Sequence, residues 1–306
     1  MKNQFKTLLE FSDYFKDEET CRAYFENMRF GNNGAYCPHC KHTDISRFSG
    51  GKRYRCKKCR QDFTIRTGTL FGESRLPLKI WFTAIFLLTT GKKGISSIEL
   101  GKLLGVQQRT AWFINHRIRE AMKQGQGLLS GTIEVDETYT GGKEKNKHWD
   151  KRTKHTQGRS TETKTAVMGM FERGGEVRTK VVPNVKVSTI EKTIIENVSK
   201  GSKVYTDDFL SYTKLGKHFK HGVVRHGKFE YVRGDIHSNS AESFWALFKR
   251  GYHGTYHKMD KKHLQRYVDE FAFRLNNRSL DMQGMFDEVV NRVINRGKMS
   301  YKTLTA

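Results

Sequence analysis

The chain has 306 residues, with 56 lysines and arginines against 32 aspartates and glutamates, a formal net charge of +24. That length can bury a sizeable core in two or three domains, and the charge predicts salt-sensitive association with a polyanion, nucleic acid first. There is no run of about 18 apolar residues and no apolar leader segment, which argues against a membrane span or membrane partner and for a cytoplasmic, DNA-associated protein.

Residues 4–30 carry apolar side chains at helical spacing, with Ser12 and Asp17 as helix starts. Cys21 falls inside that pattern beside Tyr24 and Phe25 and reads as a small buried hydrophobe. Next come Cys37 and Cys40, fifteen intervening residues, then Cys56 and Cys59. Two CxxC pairs at that separation predict a zinc ribbon, because paired hairpin turns can set four soft thiolates tetrahedrally. Strands are expected over Arg53 to Cys56 and over 61–69, around a Gly50-Gly51 turn. Four cysteines close the coordination sphere, so the expected Zn²⁺ is structural, and His39 and His42 are not needed as ligands. No βαβ pattern accompanies either pair, which disfavours redox chemistry.

Leu78 to Thr90 is a very apolar helix, too short for a bilayer. Residues 94–122 break into two helices around Gly105, the first capped by Ser96 or Ser97 and the second opening at Gln107 and Gln108. This is the helix-turn-helix pattern, with an ordinary helical hairpin as the alternative. As a DNA reader it would bring Gln107, Gln108 and Arg109 to base edges and Arg117 and Arg119 to phosphates.

Beyond a flexible junction at 125–130, residues 131–143 form an apolar strand bearing Glu134, Asp136 and Glu137. Alternation puts Glu134 and Asp136 on one face and Ile133 and Val135 on the other. An acid on a β-branched strand is costly unless something positive meets it, so the stretch is either an exposed edge or a cation site. Residues 143–164 hold eight lysines or arginines against three acids with no apolar period. They read as a basic loop, either a DNA clamp in which Lys143, Lys145 and Lys147 make contacts or a solvated linker. Two strands joined at Gly174-Gly175 follow, then an amphipathic helix capped by Ser188 and ended by Gly201. A strand within 202–212 terminates on Asp207 and Asp208. After a short helix, another begins near Ser238 or Ser240, where Glu242, Trp245, Ala246 and Lys249 share a face. Helices over 261–278 and about 284–296 and a short basic tail complete the chain.

Asp136, Asp207 and Glu242 thus stand at element ends. Hard divalent ions take few carboxylates and keep their waters, and a pair of them can serve both the attacking and leaving oxygens of a phosphodiester. In such a site Asp136 bridges both ions, and Asp207 and Glu242 each complete one. Spacing alone is equally consistent with ordinary terminal carboxylates. The basic body, the upstream DNA-binding modules and a β-β-β-α-β-α order favour the metal site.

The segments EVDETYTGGK, VYTDDFLSY and HSNSAESFWALFKRGYHGTYHKM, followed by HLQRYVDEFAFRLNNR, resemble the DDE transposases of bacterial insertion sequences, in the ISXO-like branch with an N-terminal zinc ribbon. The resemblance runs from about residue 20 to 280. It implies an RNase H-like catalytic domain, catalytic Mg²⁺ for which Mn²⁺ substitutes, and cleavage and strand transfer at terminal inverted repeats. Asp136, Asp207 and Glu242 match the three acids by motif position, and Lys249 matches the basic residue that contacts DNA after the third. The second motif departs from the usual Asp-Gly, which leaves Asp208 as a substitute for Asp207. Some members place Asn at the third position, which makes Asn239 a rival to Glu242. His237 would position water or phosphate, or merely cap a helix. The family also implies at least a dimer pairing two ends of double-stranded DNA.

The expected architecture is therefore α+β and multidomain: a helical segment at 1–30, a zinc ribbon at 31–72, a helix-turn-helix domain at 76–125, an RNase H-like domain (a mixed β-sheet flanked by helices) at 130–280, and a C-terminal helix with basic tail at 281–306. The expected function is DNA transposition without a covalent enzyme intermediate and without a small-molecule substrate. A transcription regulator that retains the DNA-binding modules and a structure-selective, Mg²⁺-dependent nuclease are the alternatives.

Overall fold

The computed structural model of this chain describes residues 4–31, 34–72, 74–125, 127–142, 144–153, 160–225, 230 and 232–305. The fold divides into two units, Met1–Met122 with Asn277–Ala306, and Lys123–Asn276. The helical start, the ribbon, the helix pair and the C-terminal helix, read from sequence as separate segments, thus belong to one unit.

In the first unit, α1 (Leu8–Tyr14) starts at Thr7, whose hydroxyl accepts the Glu10 N–H while Glu10 accepts the Thr7 N–H. This reciprocal cap outcompetes Ser12, which lies inside the helix rather than at its start. Asp17 caps α2 (Glu18–Phe30) as expected. The ribbon strands β1 (Ile45–Phe48), β2 (Arg53–Cys56) and β3 (Asp62–Phe63) form an antiparallel sheet in that order. The third strand is two residues long instead of filling 61–69. The Thr67 hydroxyl accepts the Thr64 N–H at 2.9 Å, and Arg29 donates to the carbonyls of Ile65 and Thr67, so this backbone is satisfied in turns rather than in a ladder.

The apolar α3 (Leu78–Thr90) lies at the centre of this unit, followed by α4 (Ser97–Leu104), capped by Ser96, and α5 (Gln108–Ala121). Gly105 takes the left-handed conformation that ends α4 (φ +63°). The C-terminal helix Met282–Asn295 drives Phe286 among Phe5, Phe11, Phe15, Tyr24 and Phe82, with ring centroids 5.2–6.0 Å apart. The expected basic tail contains a further short helix, Tyr301–Thr305.

The second unit is built on five strands: β4 (Thr132–Thr140), β5 (Thr165–Glu172), β6 (Val177–Val182), β7 (Lys203–Thr206) and β8 (Lys220–Val223), in the order β6-β5-β4-β7-β8. β4, β5 and β6 pair antiparallel, while β7 and β8 run parallel to β4. Alternation divides the apolar residues between two faces. Ile133, Val135, Met168 and Met170 pack with Ile190 and Ile194 of α6 (Val187–Ile195). Val167 and Phe171 pack with Trp245 and Phe248 of α7 (Asn239–Gly251) and with Val268 and Phe271 of α8 (Leu264–Asn276). Asn184 precedes α6 and accepts from the Lys186 N–H and the Thr189 hydroxyl, while Ser188, expected as the cap, is the second residue of a helix whose N-cap position is Lys186. Among the described residues no helix is long and apolar enough to cross a membrane.

Candidate active site

Strand β4 carries acids on both faces. Asp136 lies opposite Gly169 of β5, on the side covered by α7. Glu137 points to the other side, where its carboxylate accepts a 2.5 Å hydrogen bond from the buried Tyr212 hydroxyl. β7 runs beside β4 with Glu134 aligned on Tyr205, and the same register carried two residues further sets Asp136 beside Asp207. Parallel pairing thus brings together acids 71 residues apart in sequence (207 − 136).

The electrostatics agree with that register. Burial, then the neighbouring Glu137 and Asp207 carboxylates, push the Asp136 carboxyl up to about 7. The Glu137 N–H, which Asp136 accepts at 2.8 Å, and the Lys249 ammonium pull the other way. Tyr212 is likewise raised, by burial first and then by Glu137, Asp136 and Asp207. Asp207 is half-buried and accepts the Phe209 N–H at 3.1 Å, whereas Asp208 is exposed. Carboxylates crowded where β4 runs beside the end of β7 suit a hard divalent cation, because oxygen donors and excess negative charge are what such an ion requires.

Helix α7 reaches this sheet through its N-terminus. Glu242 lies in its first turn, exposed, with Asn239 exposed at its first position. Lys249 lies two turns further along, exposed and within electrostatic reach of Asp136. Trp245, expected to share their face, is instead buried against Phe171. His237 is half-buried with Nδ1 3.3 Å from Glu134 Oε1 and 3.5 Å from the backbone N–H of Asn239, the first residue of α7, a contact that fits the helix-capping alternative.

The four cysteines meet as expected. One sulfur from each of Cys37, Cys40, Cys56 and Cys59 lies within 4.8 Å of the others, with Cys37–Cys59 at 3.6 Å and Cys40–Cys56 at 3.5 Å. A tetrahedral zinc with bonds of about 2.3 Å needs sulfurs about 3.8 Å apart, so the cluster fits the metal. Cys21 is buried elsewhere and its thiol is pushed up to about 12, mainly by desolvation, consistent with an inert packing role.

The expected DNA contacts separate into two groups. Gln107, Gln108 and Arg109 are exposed at the start of α5, where Gln108 reaches the Ser97 hydroxyl and Arg109 the Tyr301 hydroxyl. Arg117 and Arg119 are buried. Arg117 donates to the Met299 carbonyl at 2.6 Å and stacks on Phe113, so neither arginine stands where a phosphate contact requires. Lys145 and Lys147 are exposed on an arm organised by Arg152, which donates to the carbonyls of both. Lys143 lies outside the described residues.

Comparison with known proteins bears on the same segments. A family model for an ISXO2-like transposase domain matches residues 128–276, and one for a transposase zinc-ribbon domain matches residues 16–62. A Halobacterium salinarum protein of the transposable element ISH50, itself uncharacterized, is 31% identical over 254 residues, covering 79% of this chain and 85% of that one. The chain belongs to the ISXO2-like transposase family. An uncharacterized transposase-like protein of Haemophilus influenzae is 33% identical over 109 residues, 35% of this chain and 87% of that one. Two solved structures, the Mos1 strand transfer complex and a pre-cleavage Mos1 transpososome, match with TM-scores of 0.28 and 0.24. Their identities are 13% and 15%; they cover 70% and 72% of this transposase and span 75% and 79% of their own chains.

The resemblance pointed to Asp136, Asp207, Glu242 and Lys249; Asp136 lies within electrostatic reach of Asp207 and Lys249, while Glu242 stands exposed in the first turn of α7. The resemblance did not single out the Glu137–Tyr212 pair, although alternation puts Glu137 on the apolar face with Val135, where a carboxylate needs a partner. It also left Glu134 without a role.

Proposed function

We propose that this chain is the DNA transposase of a bacterial insertion sequence, which cleaves and transfers strands at the terminal inverted repeats. The observation that carries the reading is the register of β4 and β7, which sets Asp136 beside Asp207, with Lys249 of α7 close enough to stabilise the Asp136 charge. Three antiparallel strands followed by two parallel to the first support an RNase H-like domain. Asp136, Asp207 and Glu242 would hold Mg²⁺, which supplies activation of the attacking oxygen and charge stabilisation on the leaving one. Asn239 remains the neutral alternative to Glu242, and the carboxylate is favoured because it adds charge to a cation site.

Lys249 offers a cation to DNA phosphate at the margin of that site, and Lys145 and Lys147 extend the basic surface along the arm. In the other unit, Gln107, Gln108 and Arg109 at the exposed start of α5 are the base-reading side chains of a helix-turn-helix, and the four cysteines hold a structural Zn²⁺. No buried serine or tyrosine nucleophile is required, because the attacking oxygen belongs to water and then to the freed 3′-end. Pairing of two ends calls for at least two copies of the chain.

The test is incubation of the purified protein with labelled element-end DNA in Mg²⁺ and in EDTA. Metal-dependent nicks followed by joined products are the expected result. Cleavage with no joined product identifies a nuclease instead, and tight end binding with no cleavage in Mg²⁺ or Mn²⁺ identifies a regulator.

A further inference from the structure

Glu134 is the most deeply buried acid of β4, with no solvent exposure, yet it stands one alternation from Asp136 on the same face. Both of its oxygens are engaged. Oε1 accepts from Arg173 Nε at 2.8 Å and lies 3.3 Å from His237 Nδ1; Oε2 accepts the Ser240 backbone N–H at 2.8 Å. Ser240 is the second residue of α7, so its N–H is one that the helix itself leaves unpaired. A buried carboxylate on the strand of the first acid therefore grips the N-terminus of the helix that carries Glu242.

Arg173, in the turn after β5, holds the preceding segment to the same point. Its Nη1 donates to the Asp235 carbonyl at 2.9 Å and carboxylate at 2.8 Å, and its Nη2 to the His237 carbonyl at 3.2 Å. From β7, the Tyr205 hydroxyl donates to the other Asp235 oxygen at 3.1 Å, and Arg173 lies over the Tyr205 ring. Residues 235–240 are thereby tied to β4, to the β5–β6 turn and to β7. Two of these strands lead to Asp136 and Asp207.

We propose that Glu134 and Arg173 form a positioning pair that fixes the start of α7, and with it Glu242, against the strands bearing Asp136 and Asp207. Glu134 is not itself a ligand for the cation, since its oxygens are occupied and inaccessible. The arginine fork pairs with it and gives its remaining donors to the Asp235 carboxylate and to the backbone before α7, a division that a lysine cannot reproduce. The pair acts through α7, and its role rests on the metal-site reading above.

Mn²⁺ binding to the full-length protein, followed by electron paramagnetic resonance of the free ion, tests this with Glu134→Gln, Arg173→Lys and the reference Asp136→Asn. Glu134→Gln keeps an acceptor for Ser240 but loses the ion pair; Arg173→Lys keeps the charge but loses the fork. Substituting residues that orient metal ligands weakens metal affinity by about 10- to 100-fold, and that loss is expected in both pair variants. Cleavage should recover at saturating metal, so that the metal requirement moves more than the maximal rate, with end-DNA binding unchanged. A purely structural role would lower the melting temperature while leaving affinity per folded molecule at the parent value, and that result overturns the proposal. If Glu134→Gln does not fold, Arg173→Lys decides alone. Affinity lost in Asp136→Asn but kept in both pair variants removes the positioning role and leaves the metal site standing. Affinity unchanged in all three removes both.

Discussion

Asp136 holds a carboxyl against its own charge. Its folded-state value of about 7 stands above the ordinary aspartate range because burial and two neighbouring acids disfavour the anion. The sign of the stability effect follows. As pH rises from about 4 towards 7, the unfolded chain gives up this proton while the folded chain keeps it, so stability is lost across that window and stays lost above it. Asp136→Asn removes the penalty. In the metal-free protein the variant should therefore be more stable than the parent by about 2–4 kcal/mol at pH 8, with the difference gone by pH 4. Denaturant unfolding at the two pH values measures it, and a variant less stable than its parent at pH 8 would contradict the account. The site was legible where it follows from local pattern, as at the four cysteines, whose spacing foretold that their sulfurs meet; the nearness of Asp136 and Asp207 came from motif resemblance, since spacing alone fitted ordinary carboxylates equally well. Residue roles were not legible where the partner is distant. Arg117 looked like a phosphate contact because it is basic and sits on a helix after a turn, yet its carbonyl partner, Met299, arrives from the far C-terminal segment.

At the scale of elements, the site depends on how closely α7 lies on the sheet. Gly169 faces Asp136 across β4 and β5, and a Cβ there would meet the Phe171 ring at 2.5 Å and the Trp245 ring at 2.7 Å. Neither ring can swing away, since both are buried. Gly169→Ala should cost about 1–3 kcal/mol through overpacking and reduce cleavage beyond what the folded fraction explains, because α7 must shift. Unfolding and single-turnover rates measured together check this; parental values for both would show that α7 tolerates displacement. The ribbon depends on its metal in another way. Its sheet has only three short strands, so zinc removal by a strong chelator should melt residues 37–63 while the transition of Lys123–Asn276 persists. Reconstitution with Co²⁺, read by its thiolate absorption, would report the four-sulfur site, and a ribbon that keeps its structure without metal would refute the prediction.

The same scale explains which elements could be read. β5 and β6 announced themselves by apolar runs around Gly174-Gly175, and α3 by its composition. β8 did not, because its Lys-His-Gly-Val carries no alternation and becomes a strand only by pairing with β7. The third ribbon strand failed for the converse reason: its threonines found hydroxyl and carbonyl partners in turns.

For the whole molecule, sequence order was a poor guide to which parts fold together. Phe286, from a helix that looked like an appendage, completes the aromatic core begun by Phe5 and Phe11, and this closes the first unit around both ends of the chain. The second unit coincides closely with the matched transposase domain, Lys123–Asn276 against 128–276. The net charge of +24 suits a protein whose substrate is a polyanion, but charge alone does not make it an enzyme. That claim rests on the carboxylates. The most direct test compares wild type with Asp136→Asn, Asp207→Asn and Glu242→Gln for Mg²⁺-dependent cleavage of element-end DNA, with end binding measured in parallel. The account predicts cleavage lowered at least about a hundredfold in each variant, with binding near the wild-type level. Wild-type cleavage by Asp136→Asn or Asp207→Asn, or loss of binding and cleavage together, would contradict it.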